Sequence, residues 1–312
     1  MSPRKKLKRW LVYILARSLI GLWNLLPLGL ALSMGRLLGR LGYYVASGPR
    51  NRAQRQMVSA LEIDETKAKE ITQALFVHCG MLAVELAMLP RIHPNLVDYV
   101  QFSEIDKGLL AKALEKRRGV IIVSAHLGNW ELLAQRMVAA GFASSTLARL
   151  NPNPYLGQWI VQQRASFGLN VIDRSDPGAA RSVLSALKQN HLVGFLIDQD
   201  TRVQSRHVPF FGRPASTPIG AAQFALRQDI PVFAMFMQRE QGKHRISVQE
   251  IGLEKYKSRS KEEGIKALTA EMTKHIENAV REHPSEWMWF HERWKTQALL
   301  SDEQKGNKVI PS

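Results

Sequence analysis

Gly119-Val-Ile-Ile-Val-Ser-Ala-His126-Leu-Gly-Asn-Trp-Glu131 reads as a buried strand, a tight turn and the opening of a helix. The β-branched run follows three basic residues, Lys116 to Arg118, and has no polar alternation, as expected of a strand covered on both faces. Asn129 is a good N-cap, and Trp130, Leu132, Leu133 and Met137 carry helical apolar spacing. Glu131 then falls in the first helical turn, where the helix dipole favours a carboxylate. The reading puts His126 at the carboxyl end of a strand, where open α/β sheets place their chemistry, with Glu131 five positions on to orient it. An imidazole so placed can take a proton from a hydroxyl, the carboxylate fixing its tautomer. The same pattern also arises by chance around a satisfied core histidine.

Working outward, the rhythm of strand, polar tip and helix repeats. Residues 144–150 read as a strand closing on Asn151-Pro-Asn-Pro154, with a helix over 155–167 that carries Arg164. Residues 169–172 read as a strand tipped by Asp173-Arg174-Ser175-Asp176, with a helix over 179–188. Residues 193–197 form an uninterrupted apolar strand ending in Asp198-Gln199-Asp200. These strand ends should converge on one edge of the sheet, although Asp198 and Asp200 are equally good turn residues. Upstream, helices are expected over 50–61, 65–89 and 104–117, with a short strand over 97–102. Downstream come an apolar loop at Phe210-Phe211-Gly212, a helix over 219–226, strands over 230–237 and 245–251, and a long charged helix over 257–282. The fold class expected is α/β, a mixed central sheet flanked by helices.

The chain has 312 residues, enough for one large α/β domain with a small appendage. Its net charge of +16 seeks a polyanion: nucleic acid, anionic lipid or an acidic protein. It has no zinc-ligand spacing, RNP-like aromatic pattern or basic readout helix, so nucleic acid is not the expected partner. Cys79 is the only cysteine and lies in an apolar helical run, which makes it a small buried residue rather than a nucleophile. Residues 1–9 are strongly basic and 10–32 mostly apolar, with no small-residue cleavage site closing the run. Arg17, Asn24 and Pro27 interrupt it, and Lys6, Arg9, Tyr13 and Arg17 share one helical face, the arrangement of an interfacial helix. The division expected is a membrane anchor over 1–48, a catalytic domain over 49–300 and a polar tail over 301–312, with a full span or a helix packed on the domain's own core as alternatives for the anchor. Trp287, Trp289, Phe290 and Trp294, interleaved with Arg293 and Lys295, suit either a membrane interface or a docked C-terminal helix. No P-loop or Gly-x-Ser-x-Gly elbow is present, so no covalent acyl-enzyme is expected.

Ala125-His126-Leu-Gly-Asn-Trp-Glu131 resembles the first signature block of the lipid A biosynthesis acyltransferases, within the wider glycerolipid acyltransferase group. Further blocks follow in order: Gly168 to Arg174, Phe195 to Arg202 with Val208 to Pro218 after it, Ile230-Pro231, and Glu286 to Lys295. The third departs from the group's Glu-Gly-Thr, having Asp198-Gln-Asp-Thr. The resemblance implies transfer of a fatty acyl chain from acyl carrier protein to a hydroxyl of a lipid A precursor, at the cytoplasmic face of a bacterial inner membrane. It implies His126 as base, held by Glu131, and no cofactor or metal besides the thioester co-substrate. Arg174 would meet the acceptor's phosphate, and Arg149, Arg164, Asn129, Asp198 and Arg202 would contribute to substrate binding. Backbone donors after Gly128 would meet the oxyanion. An acceptor such as a lysophospholipid or another glycolipid, and a non-catalytic basic protein of membrane surfaces or nucleic acid, stand as alternatives.

Overall fold

The computed structural model describes residues 3–201 and 203–296; Arg202 and the expected tail at 301–312 lie outside them. In chain order the helices are α1 (Pro3–Leu25), α2 (Leu28–Val45), α3 (Ser47–Leu61), α4 (Glu65–Ala87), α5 (Leu89–Ile92), α6 (Leu96–Tyr99), α7 (Glu104–Leu114), α8 (Trp130–Ala139), α9 (Pro154–Ser166), α10 (Ala179–Lys188), α11 (Gly220–Gln228), α12 (Glu254–Lys257) and α13 (Lys261–Glu282). The strands are β1 (Val100–Gln101), β2 (Val120–Ser124), β3 (Ser144–Ala148), β4 (Leu169–Asp173), β5 (Leu192–Leu196), β6 (Ser205–Phe210), β7 (Arg213–Pro218), β8 (Val232–Glu240) and β9 (Lys243–Ile251). Seven strands form one sheet in the order β1-β9-β8-β2-β5-β3-β4, parallel except for the antiparallel pair β8 and β9. It is the mixed α/β sheet expected, and β2 lies near its middle, buried along its whole length.

Register explains what gathers at the carboxyl edge. Ser124 of β2 lies opposite Leu196 of the neighbouring β5, so the residues two further on, His126 and Asp198, emerge side by side. Ala148 of β3 lies opposite Asp173 of β4, so the next residues, Arg149 and Arg174, are also neighbours. Each pair is distant in sequence and adjacent only because parallel strands end together.

Several expectations are corrected. Of residues 97–102, expected as a strand, the first three are helical and only Val100–Gln101 joins the sheet edge. The apolar loop at Phe210-Phe211-Gly212 is the tip of the hairpin β6–β7, its own two-stranded sheet. The C-terminal tryptophans are not at a surface: Trp287, Trp289 and Trp294 are buried, and residues 283–296 form an irregular strap rather than a long helix. Phe210, Trp287 and Trp289 pack edge to face in that core, which suits rings whose edges and faces differ in charge.

The amino-terminal helices divide in two. α2 packs along α4 so closely that a Cβ on Gly39 would lie 2.3 Å from the Phe76 carbonyl oxygen, and one on Gly80 2.0 Å from that of Gly35. Only glycine permits this approach. Ala31 and Leu32 join the buried cluster beneath β2 and β8, so α2 belongs to the folded unit on one side. On the other side Leu30, Met34, Leu37, Leu38 and Leu41 are exposed, continuing an exposed apolar surface on α1 formed by Leu7, Leu11, Leu15, Leu19 and Leu22. α1 is tied to α9 by Asn153 Nδ2 donating to the Arg9 carbonyl at 2.9 Å and by Arg17 lying over Trp159 at 5.2 Å. Among the described residues one helix, α4, is long and apolar enough to cross a membrane, but it carries the buried Glu85 and packs inside the protein.

Candidate active site

His126 leaves β2 with its backbone N–H donating to Asp198 Oδ2 and its Nδ1 donating to Asp198 Oδ1, both at 2.8 Å. A third donor, Trp287 Nε1, reaches Oδ2 at 2.8 Å. Asp198 is fully buried, and burial alone would raise its carboxyl; the His126 imidazole and these hydrogen bonds bring it down to about 2. Burial in turn pushes His126 down, but the Asp198 carboxylate outweighs it and holds the imidazole above its ordinary value, with Arg174 opposing. The ring stands edge to face on Trp130 at 4.9 Å. With Nδ1 committed to Asp198, Nε2 is left for the cavity, of which His126 is part of the lining. His126 therefore stands at the cavity as expected, but the carboxylate that holds it is Asp198 and not Glu131.

Glu131 has another partner. Its carboxylate is clamped by Arg164 of α9, Nε to Oε1 at 2.9 Å and Nη2 to Oε2 at 2.7 Å, a bidentate pair at the cavity wall. The pair joins the start of α8 to α9. Asn129 is also corrected. Its Oδ1 caps α8 at Leu132 N (3.0 Å), its Nδ2 donates to Glu85 Oε2 (2.9 Å), and it is fully buried, so both ends of its amide serve the protein.

The turn itself is held from behind. Gly128 has a φ of +61°, and a Cβ there would lie 1.7 Å from the Met237 carbonyl oxygen, so no other residue fits. Its N–H donates to the Glu286 carbonyl at 3.1 Å, so any backbone oxyanion donor must come from the residues after it, as expected. Its carbonyl accepts from His78 Nε2 at 3.3 Å; burial, then Arg239, lowers His78 to about 4, so the ring is neutral and donates through Nε2. The Met288 N–H meets the His126 carbonyl at 3.0 Å. The strap from Glu286 to Met288 thus braces three successive features of the site: turn, histidine and aspartate. No pattern around Trp287 in the sequence signals that contact, since a tryptophan and an aspartate 89 positions apart carry no local periodicity. Cys79 is bystander rather than nucleophile, burial pushing its thiol up to about 12.

In front of His126 lies a cavity of about 600 Å³. Its floor is one face of β2, β5 and β3: Ile122 and Ser124, then Leu192, Gly194 and Leu196, then Ser144, Thr146 and Ala148. Its roof is α8 through Trp130, Leu133, Ala134 and Met137, at helical spacing, with Gly157, Ile160, Val161 and Arg164 of α9. Arg149 and Arg174 stand at the carboxyl edge of the same cavity, and among the described residues neither guanidinium has a hydrogen-bond or ion-pair partner. Burial, then the neighbouring Arg149, lowers Arg174. Asp173 opposes that lowering, so the half-buried Arg174 and the exposed Arg149 put two guanidiniums side by side with one carboxylate near them, a pair able to meet an anion. Asp200 faces away, accepting from Thr296. Among the described residues no group of three or more His, Cys, Asp or Glu is placed to hold a metal.

A profile of the bacterial lipid A biosynthesis acyltransferases matches residues 2–296. A lipid A biosynthesis acyltransferase of Haemophilus influenzae is 23% identical over 297 residues, covering 92% of this chain and 90% of its own. A phosphatidylinositol mannoside acyltransferase of Mycobacterium tuberculosis H37Rv is 27% identical over 222 residues, 67% of this chain, and the match spans just under two thirds of that relative's length, 66%. A lipid A biosynthesis palmitoleoyltransferase of Escherichia coli K12 is 27% identical over 197 residues, 61% of this chain and 60% of its own.

Proposed function

Because the chain belongs to the bacterial lipid A biosynthesis acyltransferase family, we propose that it moves a fatty acyl chain from acyl carrier protein to a hydroxyl of a lipid A precursor. The observation that carries this reading is the His126–Asp198 pair opening on a largely apolar cavity with two unpartnered arginines at its mouth. His126 Nε2 takes the proton of the acceptor hydroxyl as its oxygen attacks the thioester carbonyl carbon. The C–O bond forms, the C–S bond breaks, and the imidazolium returns the proton to the departing thiolate. Asp198 stabilises that imidazolium. With Gly128 engaged elsewhere, the N–H groups of Trp130 and Glu131, in the unbonded first turn of α8, serve as the backbone donors for the oxyanion; such a donor is worth roughly 10²–10³ in rate. The acyl chain lies in the cavity, and Arg149 and Arg174 hold the phosphate of the acceptor or of the carrier's prosthetic arm. No cofactor beyond the thioester is called for.

The exposed apolar side of α1 and α2, with Lys5, Lys6, Lys8 and Arg9 beside it, supports a footing on an anionic membrane surface, in this reading the cytoplasmic side of the inner membrane, and the basic remainder suits an acidic carrier protein. A second reading, favoured by the mycobacterial relatives, has another phosphorylated glycolipid as acceptor. The test is transfer of a labelled acyl group from acyl carrier protein to a tetra-acylated, Kdo-bearing lipid A precursor, by wild type and by His126→Ala. Product from wild type alone supports the reading. Product only on other glycolipids moves the acceptor to the second. Equal product from both proteins removes His126 as base.

A further inference from the structure

Midway along the cavity the floor loses its side chains. Parallel register puts Ile122, Gly194 and Thr146 in one row across β2, β5 and β3, with Ser124 and Leu196 in the row toward His126 and Leu192 and Ser144 in the row away from it. All face the cavity. Gly194 is the centre of that row, and the backbone does not require it. Its φ is not in the left-handed region, and a Cβ there would meet only Ser145 O at 3.7 Å and Thr146 Oγ1 at 3.9 Å, ordinary contacts. Glycine inside a strand costs roughly 0.5–1 kcal/mol relative to alanine, and where no turn or bulge demands it, it marks a place where something approaches the backbone. The roof also carries a small residue: Ala134 lines the cavity about midway along α8 between Trp130 and Met137.

We infer that Gly194 on the floor, with Ala134 on the roof, keeps open the waist through which an acyl chain passes from His126 to the deep end at Leu192, Leu169 and Met137, and so sets the length of chain the enzyme accepts. The inference rests on the reading of the cavity as the acyl site. From Ala148 at the mouth to Ser144 at the deep end is four strand residues, about 13 Å, so the waist falls near the middle of a medium-length chain. A branched side chain at Gly194 stops a long chain there and leaves the mouth, His126 and Asp198 untouched.

The experiment is a donor panel, octanoyl through hexadecanoyl thioesters of acyl carrier protein, with the full-length protein in lipid nanodiscs and the lipid A precursor as acceptor. Gly194→Val is expected to lower the tetradecanoyl-to-octanoyl ratio of kcat/KM by about tenfold or more, the equivalent of the overpacking a blocked chain would impose. Gly194→Ala should lower it less, and Ala134→Leu should act in the same direction from the opposite wall. The roof variant keeps the test open should valine disturb the sheet, and circular dichroism reports which variants fold. An unchanged ratio in folded Gly194→Val and Ala134→Leu overturns the inference and leaves the acyl-site reading standing. No transfer of any chain by wild type overturns both.

Discussion

Two of the histidine–carboxylate pairs among the described residues match closely in geometry, and only one of the two opens on a cavity. His244 Nε2 donates to Glu85 at 2.9 Å much as His126 donates to Asp198 at 2.8 Å, yet both side chains of the first pair are fully buried, whereas His126 keeps 23% of its side chain exposed to the cavity. Glu85 accepts in addition from Arg239 (2.7 Å), Asn129 (2.9 Å) and Tyr99. Burial alone would raise its carboxyl, but His244, Arg239 and Tyr99 hold it well below the usual carboxylate range. That cluster ties α4 to β9 and to the cap of α8, so it supports the turn from behind. The difference teaches that the pairing itself is not the catalytic feature. What distinguishes His126 is an imidazole nitrogen left facing a cavity, with the second carboxylate oxygen already occupied by the backbone and Trp287.

The largest expected effect breaks the open pair. His126→Ala and Asp198→Asn should each lower transfer by about 10²–10⁴ with little change in melting temperature, measured as kcat/KM alongside thermal unfolding. Comparable loss of stability in these variants would erase the distinction between the pairs. The buried pair should behave the opposite way: Glu85→Ala leaves Arg239 and His244 uncompensated and should cost about 3–5 kcal/mol in chemical denaturation, with activity falling mainly through loss of folded protein. Breaking the Arg164 clamp is the next effect down. Arg164→Ala frees Glu131 without touching His126, and kcat/KM should fall about tenfold, the loss of one charged hydrogen-bonded contact.

A pH profile sharpens the comparison further. In the proposed mechanism the base acts as neutral imidazole, and Asp198 holds His126 above its ordinary value of 6.5, so kcat/KM should rise with pH through an apparent pKa higher than 6.5. Trp287→Phe removes one donor from Asp198, leaves the carboxylate more basic, and should move that midpoint up by about half a unit; this is the smallest effect, and a midpoint that does not move would detach the strap from the chemistry. At the surface, Leu11→Glu with Leu15→Glu on the exposed side of α1 should release the protein from anionic vesicles, read by sedimentation. That double substitution is the cleaner probe, because deleting residues 1–47 would also strip α2 from the core beneath β2.

Much of this was legible along the chain. The run from Val120 to Ser124 could be nothing but a strand closed on both faces, and the residues after it could only turn and start a helix, because Gly128 and Asn129 specify that locally. His126 followed from position alone. Arg174 and Arg149 came from the family resemblance, and strand register makes them neighbours. Glu131 misled for a local reason: it sits at the right spacing, but a first-turn residue of α8 points toward α9, and Arg164 takes it. Asn129 was read correctly as a cap and wrongly as a ligand contact, since its other end is consumed by Glu85, 44 positions earlier.

The sequence by itself determined the elements whose causes are local: the buried β2, the tight turn, the cap on α8, and a histidine at a strand's end. Only the tertiary structure decided the partners. Asp198 became the orienting acid because β5 lies beside β2 in register, which no spacing along the chain encodes. The tryptophans at 287, 289 and 294 went inward because a strap crossing the carboxyl edge offered them a core and a hydrogen bond to Asp198, while an amphipathic pattern of aromatics and cations fits interior and interface alike. Short-range hydrogen bonding and side-chain periodicity act within a few residues, and strand order and sheet register act across the whole chain.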